Sequence, residues 1–353
     1  MTGYLPEDLL REILLRLLVK HLVRFRSVSK SWSALLKSRD FTTTHLNRSA
    51  NHGCHLLVYG LRDKSDSLSL ISGKALDVAV KIKTPEKGMV MGSCNGLVCL
   101  YNGKKNITLW NPATREHKIL PTLGIDPNSP NTLGIDDIVG FGYHLNDYKV
   151  VRILYFDDEP SDSAQVEVYS TSTGCWRVFD AIVPCVIRKL NSSVILKGVP
   201  YWIGCYFTSN IRYRESVVYF DMGKEVFRHV HTPSAAEGSY CTYGKKLGVL
   251  NESLAIICNH CTTVSNFVDI WVMMKDDDGV DHERWIKVQR IGPFPSFRML
   301  LGCWRDGVLV WQNDNDELLV YDPNINAVNK LSPYGVVPTL SRVFTYMESL
   351  VPL

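Results

Sequence analysis

Residues 95–111, NGLVCLYNGKKNITLWN, hold two short apolar strands, LVCLY and ITLW, joined by a polar, glycine-bearing turn. Short runs of aliphatic, β-branched and aromatic residues bounded by Asn, Gly and Lys read as buried strands rather than helix. The pair recurs downstream. Its first member returns at 148–155 (YKVVRILY), 197–203 (KGVPYWI), 253–258 (SLAIIC) and 306–311 (DGVLVW). Its second returns at 166–169 (VEVY), 217–220 (VVYF), 268–272 (VDIWV) and 318–321 (LLVY). The residues that follow the second strands, Asn111, Ser170, Asp221, Met273 and Asp322, are spaced 59, 51, 52 and 49 apart.

A period near fifty, with several strands per unit, belongs to stacked sheets arranged in a ring and not to a Rossmann or barrel enzyme. Each unit exposes an apolar sheet face that only a neighbour can cover. A further strand follows each polar turn, as in NPATREHKIL, STSTGCWRVF and FDMGKEVFRHV, and residues 54–84 supply a weaker sixth pair, HLLVYGL and SLSLI. The expectation is a mainly β chain with a kelch-like β-propeller of about six blades over residues 52–350. Arg342–Leu350 is expected to close the ring by pairing with the first blade, since an open edge invites aggregation.

The first fifty residues follow a different period. Leu9, Leu10, Ile13, Leu14 and Leu17 recur at helical spacing, with Glu7, Asp8, Arg11, Glu12 and Arg16 between them. Pro6 suits a first-turn position, and Glu7 and Asp8 suit the positive end of the helix dipole. A second segment carries Val19, Leu22, Val23 and Phe25; a third, opened by Ser29 as N-cap, carries Trp32, Leu35 and Leu36. Three helices in residues 1–48 make a marginal core and leave apolar surface in need of a partner. Charge divides with the architecture: residues 1–50 carry a net charge of +5, the remainder −2. A basic module suits an acidic protein surface, while the near-neutral large domain lacks the basic stripe that nucleic acid requires.

This block resembles the F-box. The resemblance rests on Leu5, Pro6, Glu7, Asp8, Ile13, Leu14, Arg24, Arg26, Val28, Ser29, Lys30 and Trp32. It implies docking onto a Skp-type adaptor and, through it, a cullin ubiquitin ligase, with Leu5, Pro6, Leu9, Ile13, Leu14 and Val19 facing the adaptor and Val28, Trp32 and Leu36 holding the module together. Most members carry Pro where this chain has Leu18, which lets the first helix run on by a turn and weakens docking somewhat. The larger region resembles the plant F-box-associated domain in GSCNGLVCLYN, LWNPATRE, VGFGYHLNDYKVVRI, VYSTSTGCWRVF, KGVPYW and VYFDMGKEVFRHV. The implied function is that of a non-catalytic receptor subunit that brings a target protein to ubiquitination and proteasomal degradation. The alternatives are an F-box scaffold or decoy that binds without degradation, and a propeller enzyme with a helical appendage.

The candidate target-binding residues lie in two expected loops, 205–215 (CYFTSNIRYRE) and 239–246 (SYCTYGKK): Tyr206, Phe207, Arg212, Tyr213, Tyr240 and Tyr243. They are the side-chain types enriched at binding hot spots. Five tryptophans at strand positions, Trp110, Trp176, Trp202, Trp271 and Trp311, read as blade core.

No catalytic, metal or cofactor site is expected. Gly92–Gly96 (GSCNG) fits a nucleophile-elbow pattern, but a strand follows where the elbow needs a helix. Gly140 and Gly142 lack the third glycine and the helix of a phosphate loop. Cys258 and Cys261 form a lone C-x-x-C, and Asp276, Asp277, Asp278 and Asp281 fail EF-hand spacing and read as a solvated hairpin tip. The ten cysteines are expected as reduced thiols in a chain with no signal peptide and no membrane span, working in the cytoplasm, the nucleus or both.

Overall fold

The computed structural model describes residues 6–49, 54–60, 67–72, 78–103, 106–122, 136–155, 163–187, 193–207, 213–233, 245–261, 265–275, 283–294, 296–304, 307–331 and 341–353. Six antiparallel sheets form a six-bladed propeller. Both members of every pair expected from the period are strands. In blade 2 they are Leu97–Tyr101 and Ile107–Trp110, flanked by an inner strand, Met89–Cys94, and an outer one, His117–Ile119. Blades 3, 5 and 6 repeat this order from Asp136–His144, Lys245–Leu250 and Met299–Cys303. The inner position of blade 4 is split between Val186–Ile187 and Val194–Leu196.

Blade 1 takes its inner strand from the far end of the chain. Ser341–Met347 pairs with Cys54–Gly60 in unbroken register, Cys54 against Met347 through Gly60 against Ser341. The ring closes as expected, with a strand that ends at Met347 rather than at Leu350.

Parity along each strand holds the blades together. Cys94, Leu97, Cys99, Tyr101 and Leu109 of blade 2 pack on Val139, Phe141, Val150 and Tyr169 of blade 3. The alternate residues Val98, Leu100 and Trp110 pack on Leu57, Leu70 and Tyr346 of blade 1. The same division joins blades 3 and 4, 4 and 5, 5 and 6, and 6 and 1. Because both faces of the central strands are covered, they read as mostly apolar runs with little alternation, interrupted by buried charges such as Arg152, Glu167 and Asp269. Trp110, Trp202 and Trp311 are buried core, while Trp176 and Trp271 are partly buried against the blade 2–3 and blade 4–5 cores.

One interblade seam is polar. Arg152 donates to Glu167 at 3.0 Å and to Asp137 at 3.4 Å, and Tyr101 reaches Asp137 from the neighbouring blade. All four side chains are buried.

The N-terminal block holds four helices where three are expected: α1 (Glu7–Leu14), α2 (Val19–Phe25), α3 (Lys30–Lys37) and α4 (Arg39–Ser49). The fourth, RDFTTTHLNRS, has no apolar stripe to announce it. Tertiary contacts hold it instead: Phe41, Thr42 and His45 are buried, a His45 ring nitrogen lies 2.9 Å from the Leu17 carbonyl, and Arg48 forks onto Glu12 at 3.0 and 3.1 Å. Ser29 caps α3 as expected, accepting from the Trp32 N–H at 3.1 Å.

The first helix does not run on. It stops at Leu14, and the N–H groups of Arg16 and Leu17 close tight turns onto Ile13 and Leu14 at 3.1 Å each. Leu18 adopts φ −66° and ψ 148°, the conformation that proline would impose there. Burial of Leu14, Leu15 and Val19 on either side of the bend supplies the stop.

The residues after the closing strand pass between the helices and the ring. Leu350 completes the helical core of Leu14, Leu15, Val19, Leu22, Leu36 and Phe41, and Val351 enters the core between blades 2 and 3. Asn111, fully buried at the end of the third strand of blade 2, donates from Nδ2 to the carbonyls of Ser349 at 3.1 Å and Val351 at 2.9 Å. Its Oδ1 accepts from the N–H groups of Ala113 and Thr114 at 3.0 and 3.2 Å. Among the described residues no helix is long and apolar enough to cross a membrane.

Candidate functional site

Two surfaces bear on function, one on the helices and one on the ring. On α1, Leu9 and Ile13 stand one turn apart and remain 54% and 50% exposed. Pro6 precedes them on the surface, and Leu18 is 58% exposed beyond the bend. The other side of α1 is sealed by the chain itself: Leu14 and Val19 are 1% and 2% exposed, inside the core that Leu350 completes. Of the six residues expected to face an adaptor, the structure therefore leaves Pro6, Leu9 and Ile13 open and encloses Leu14 and Val19; Leu5 lies outside the described residues. Leu18 joins the open set, and the sequence marked it only as a leucine where most F-box members carry Pro.

The residues expected to hold the module together divide as well. Leu36 is buried, and Trp32 packs edge-on against Phe25 with ring centroids 5.5 Å apart. Val28 is exposed at the end of α2 and takes no part in that core.

The helices sit at one end of the ring. Arg26 on the C-terminal side of α2 meets Glu116 at 3.2 Å and Ala113 joins the helical core; both belong to the turn between the third and outer strands of blade 2. Successive strands run antiparallel, so this turn shares its end of the ring with the tight turns between inner and second strands. The connections between second and third strands leave from the opposite end.

The expected recognition segments leave from that opposite end. Residues 205–207 and 213–215 are strand and not loop: Val199–Phe207 pairs with Tyr213–Asp221, Phe207 against Tyr213. Tyr206 is partly buried on the blade 3–4 core, 6.5 Å from the His231 ring. Phe207 and Tyr213 are placed as backbone only, and Arg212, Tyr240 and Tyr243 lie outside the described residues. The bases of the two segments meet, because Lys245, the first residue of the inner strand of blade 5, forms an ion pair with Glu215.

The motifs set aside as chemistry take structural roles. Asn95 and Gly96, with φ of 51° and 81°, make the tight turn into Leu97–Tyr101, and burial pushes the Cys94 thiol up to about 12. Gly142 lies where a Cβ would come within 2.2 Å of the Gly198 carbonyl oxygen of blade 4, a requirement of close packing and not of phosphate binding. Burial likewise lifts the Cys258 thiol to about 12, and His260 beside it pairs with Asp269 at 3.1 Å. Among the described residues no three His, Cys, Asp or Glu side chains are grouped to hold a metal ion, and the Asp276–Asp281 run lies outside them.

A helical module with an open apolar helix face is seated on one end of a six-bladed ring, a two-part architecture. Residues 4–44 match the F-box domain and residues 62–353 match the F-box associated beta propeller domain, so the chain belongs to the F-box proteins that carry this propeller. It is similar to F-box protein CPR1 of Arabidopsis thaliana, 30% identical over 309 residues that cover 80% of this chain and 72% of that protein. A putative F-box/kelch-repeat protein of the same plant is 25% identical over 402 residues, covering 98% of this chain and 90% of its own. Among solved structures, an oligogalacturonate lyase in complex with manganese shares 12% identity at a TM-score of 0.44, covering 80% of this chain and 78% of its own. TolB from Acinetobacter baumannii shares 10% at 0.42, covering 87% and 73%. Neither likeness bears on this chain's chemistry.

Proposed function

We propose that the chain is the target-selecting subunit of a Skp-cullin-F-box ubiquitin ligase, docking its helical module on a Skp-type adaptor and presenting a target protein on the ring for ubiquitination and degradation. One observation carries this reading: Leu9 and Ile13 lie open on a helix whose opposite side is already sealed by the chain's own core. A folded helix that buries one side and keeps two large aliphatic side chains in water is built for a second polypeptide. Covering the exposed half of each contributes about 1 kcal/mol, and Leu18 adds a similar amount. The net positive charge of the module favours encounter with an acidic adaptor surface.

The division of the ring supports the second half of the reading. The helices occupy one end and the two recognition segments leave from the other, so adaptor and target do not compete for the same surface. Catalysis in this arrangement is proximity: a held target keeps its lysines at high effective concentration near a charged conjugating enzyme. No side chain of this chain is required to react.

The test is co-purification of the full chain with a Skp-type adaptor. Leu9→Asp with Ile13→Asp is expected to abolish capture without changing the melting temperature, since both positions are exposed. Capture at the unaltered level refutes the docking surface.

A further inference from the structure

Between the helical module and the ring lies a crevice of about 820 Å³. One wall is the end of α3 and α4 from Arg39 to Asn47, joined by the tail residues Val351, Pro352 and Leu353; the other is the tight-turn end of blades 2, 3 and 4 with Cys54, Thr345 and Met347 of blade 1. Lys37, Arg39 and Lys197 place three cations on it, and none of its lining side chains is acidic. The carboxylates Asp40, Glu12 and Glu116 pair instead with Arg11, Arg48 and Arg26. Lys197 meets Glu252 at 3.4 Å, where both side chains are largely in solvent and the pairing is weak.

The crevice does not stop at the ring. Ser93, Ile195 and Thr345 line it and also line a second cavity of about 250 Å³ in the central channel. That inner chamber changes character. Leu247, Val249, Leu301 and Val343 give it an aliphatic wall, Ser93, Ser193 and Thr345 add three hydroxyls, and it has no charged side chain. Cations at the mouth and a mostly apolar, uncharged interior make a graded cavity, the kind in which polar groups fix orientation and apolar surface supplies most of the affinity.

We propose that crevice and chamber form one binding site for an amphipathic anion, a small carboxylic acid whose apolar body enters the channel while its carboxylate meets Lys37, Arg39 and Lys197. A sugar phosphate suits it less well: the Ser193 hydroxyl already donates to the Met91 carbonyl at 2.8 Å, Ser93 and Thr345 stand at the junction with the crevice, and the aliphatic wall offers too few partners for several desolvated hydroxyls. A neutral hydrocarbon would forgo the cations. Since one wall belongs to the helices and the other to the ring, an occupant bridges the two parts of the protein. The inference stands apart from the adaptor reading, and none of the residues it uses lies on the open face of α1.

The experiment is calorimetric titration of the full chain with octanoate and with 1-octanol, which share a chain length and differ in charge. Octanoate is expected to bind one to one and at least about tenfold more tightly than octanol. Lys37→Glu with Arg39→Glu, both at exposed positions, is expected to erase that preference with the melting temperature unchanged. Thr345→Trp, at the junction of crevice and chamber, is expected to remove binding of both. Equal affinity for the two probes, absence of octanoate binding at millimolar concentration, or a preference that survives charge reversal overturns the proposal; should Thr345→Trp not fold, the charge-reversed variant decides alone. Adaptor capture by the same variants stays at the unaltered level, which separates this outcome from failure of the docking surface.

Discussion

Asn111→Ala removes one side-chain amide and should loosen the joint between helices and ring. The amide makes four hydrogen bonds, two donated to the carbonyls of Ser349 and Val351 and two accepted from Ala113 and Thr114. A net contribution of about 0.5–1.5 kcal/mol per bond, with two buried carbonyls left without donors, puts the loss at about 3–5 kcal/mol. That is a large share of the roughly 5–15 kcal/mol by which a domain is stable. Asn111→Asp sharpens the test because it changes a single group: the acceptor for Ala113 and Thr114 survives, but an oxygen now faces two carbonyl oxygens. Its cost at neutral pH is expected to equal or exceed that of alanine. Urea unfolding gives the energy, and hydrogen exchange at residues 349–353 shows whether the tail is released. An Asn111→Asp protein with unchanged midpoint and protected tail amides would refute the reasoning.

Three further outcomes follow from the ring. Arg152→Ala strands Asp137 and Glu167 as buried carboxylates and is expected to cost about 3–5 kcal/mol in urea unfolding, whereas Arg152→Met combined with Glu167→Leu recovers most of it; a single variant as mild as the double one counts against the seam. Gly142→Ala drives a Cβ to within 2.2 Å of a backbone carbonyl that cannot rotate away, and is expected to lower the melting temperature by an amount equivalent to about 1–3 kcal/mol. Burial works to raise the Asp269 carboxyl, but hydrogen bonds from Arg290 and Lys287 and their charges outweigh it and hold the group at about 2. Its folded value lies below the unfolded one, so its stabilisation is complete above about pH 4 and is lost as pH falls toward about 2; Asp269→Asn should flatten the acid limb of a pH–stability curve in that window, and an unchanged limb excludes the assignment.

The ring was legible because its central strands are covered on both faces. LVCLY and SLAIIC are written as apolar runs, YKVVRILY is broken only at Lys149 and Arg152, and their spacing exposes the repeat. Of the inner strands only the closing one, Ser341–Met347, was legible. MVMGSC buries only every second residue, and glycine and serine interrupt its apolar pattern. The helix Arg39–Ser49 escaped for a related reason: beside the single buried Phe41, its anchors are a histidine and an arginine whose partners, Leu17 and Glu12, lie elsewhere in the chain. On the docking face the helical period marks Leu9, Ile13, Leu14 and Val19 alike as apolar. Periodicity cannot say which of them the chain will cover, and the covering residue, Leu350, sits in an unremarkable ESLVPL. The turn residue Asn111, visible as the end of a repeat, gave no sign of the tail it binds.

Ring closure through the last strand also sets an order of events for a newly made chain. Arg26 and Leu350 touch although they are 324 positions apart, so the helices leave the ribosome long before the residue that completes their core. Until synthesis reaches that leucine, Leu14, Val19 and Leu22 lack a lid, blade 1 lacks its inner strand, and both present sticky surface to chaperones. A chain cut short before residue 341 is thus defective at both ends at once. The helical module therefore completes its fold only after synthesis has passed Leu350.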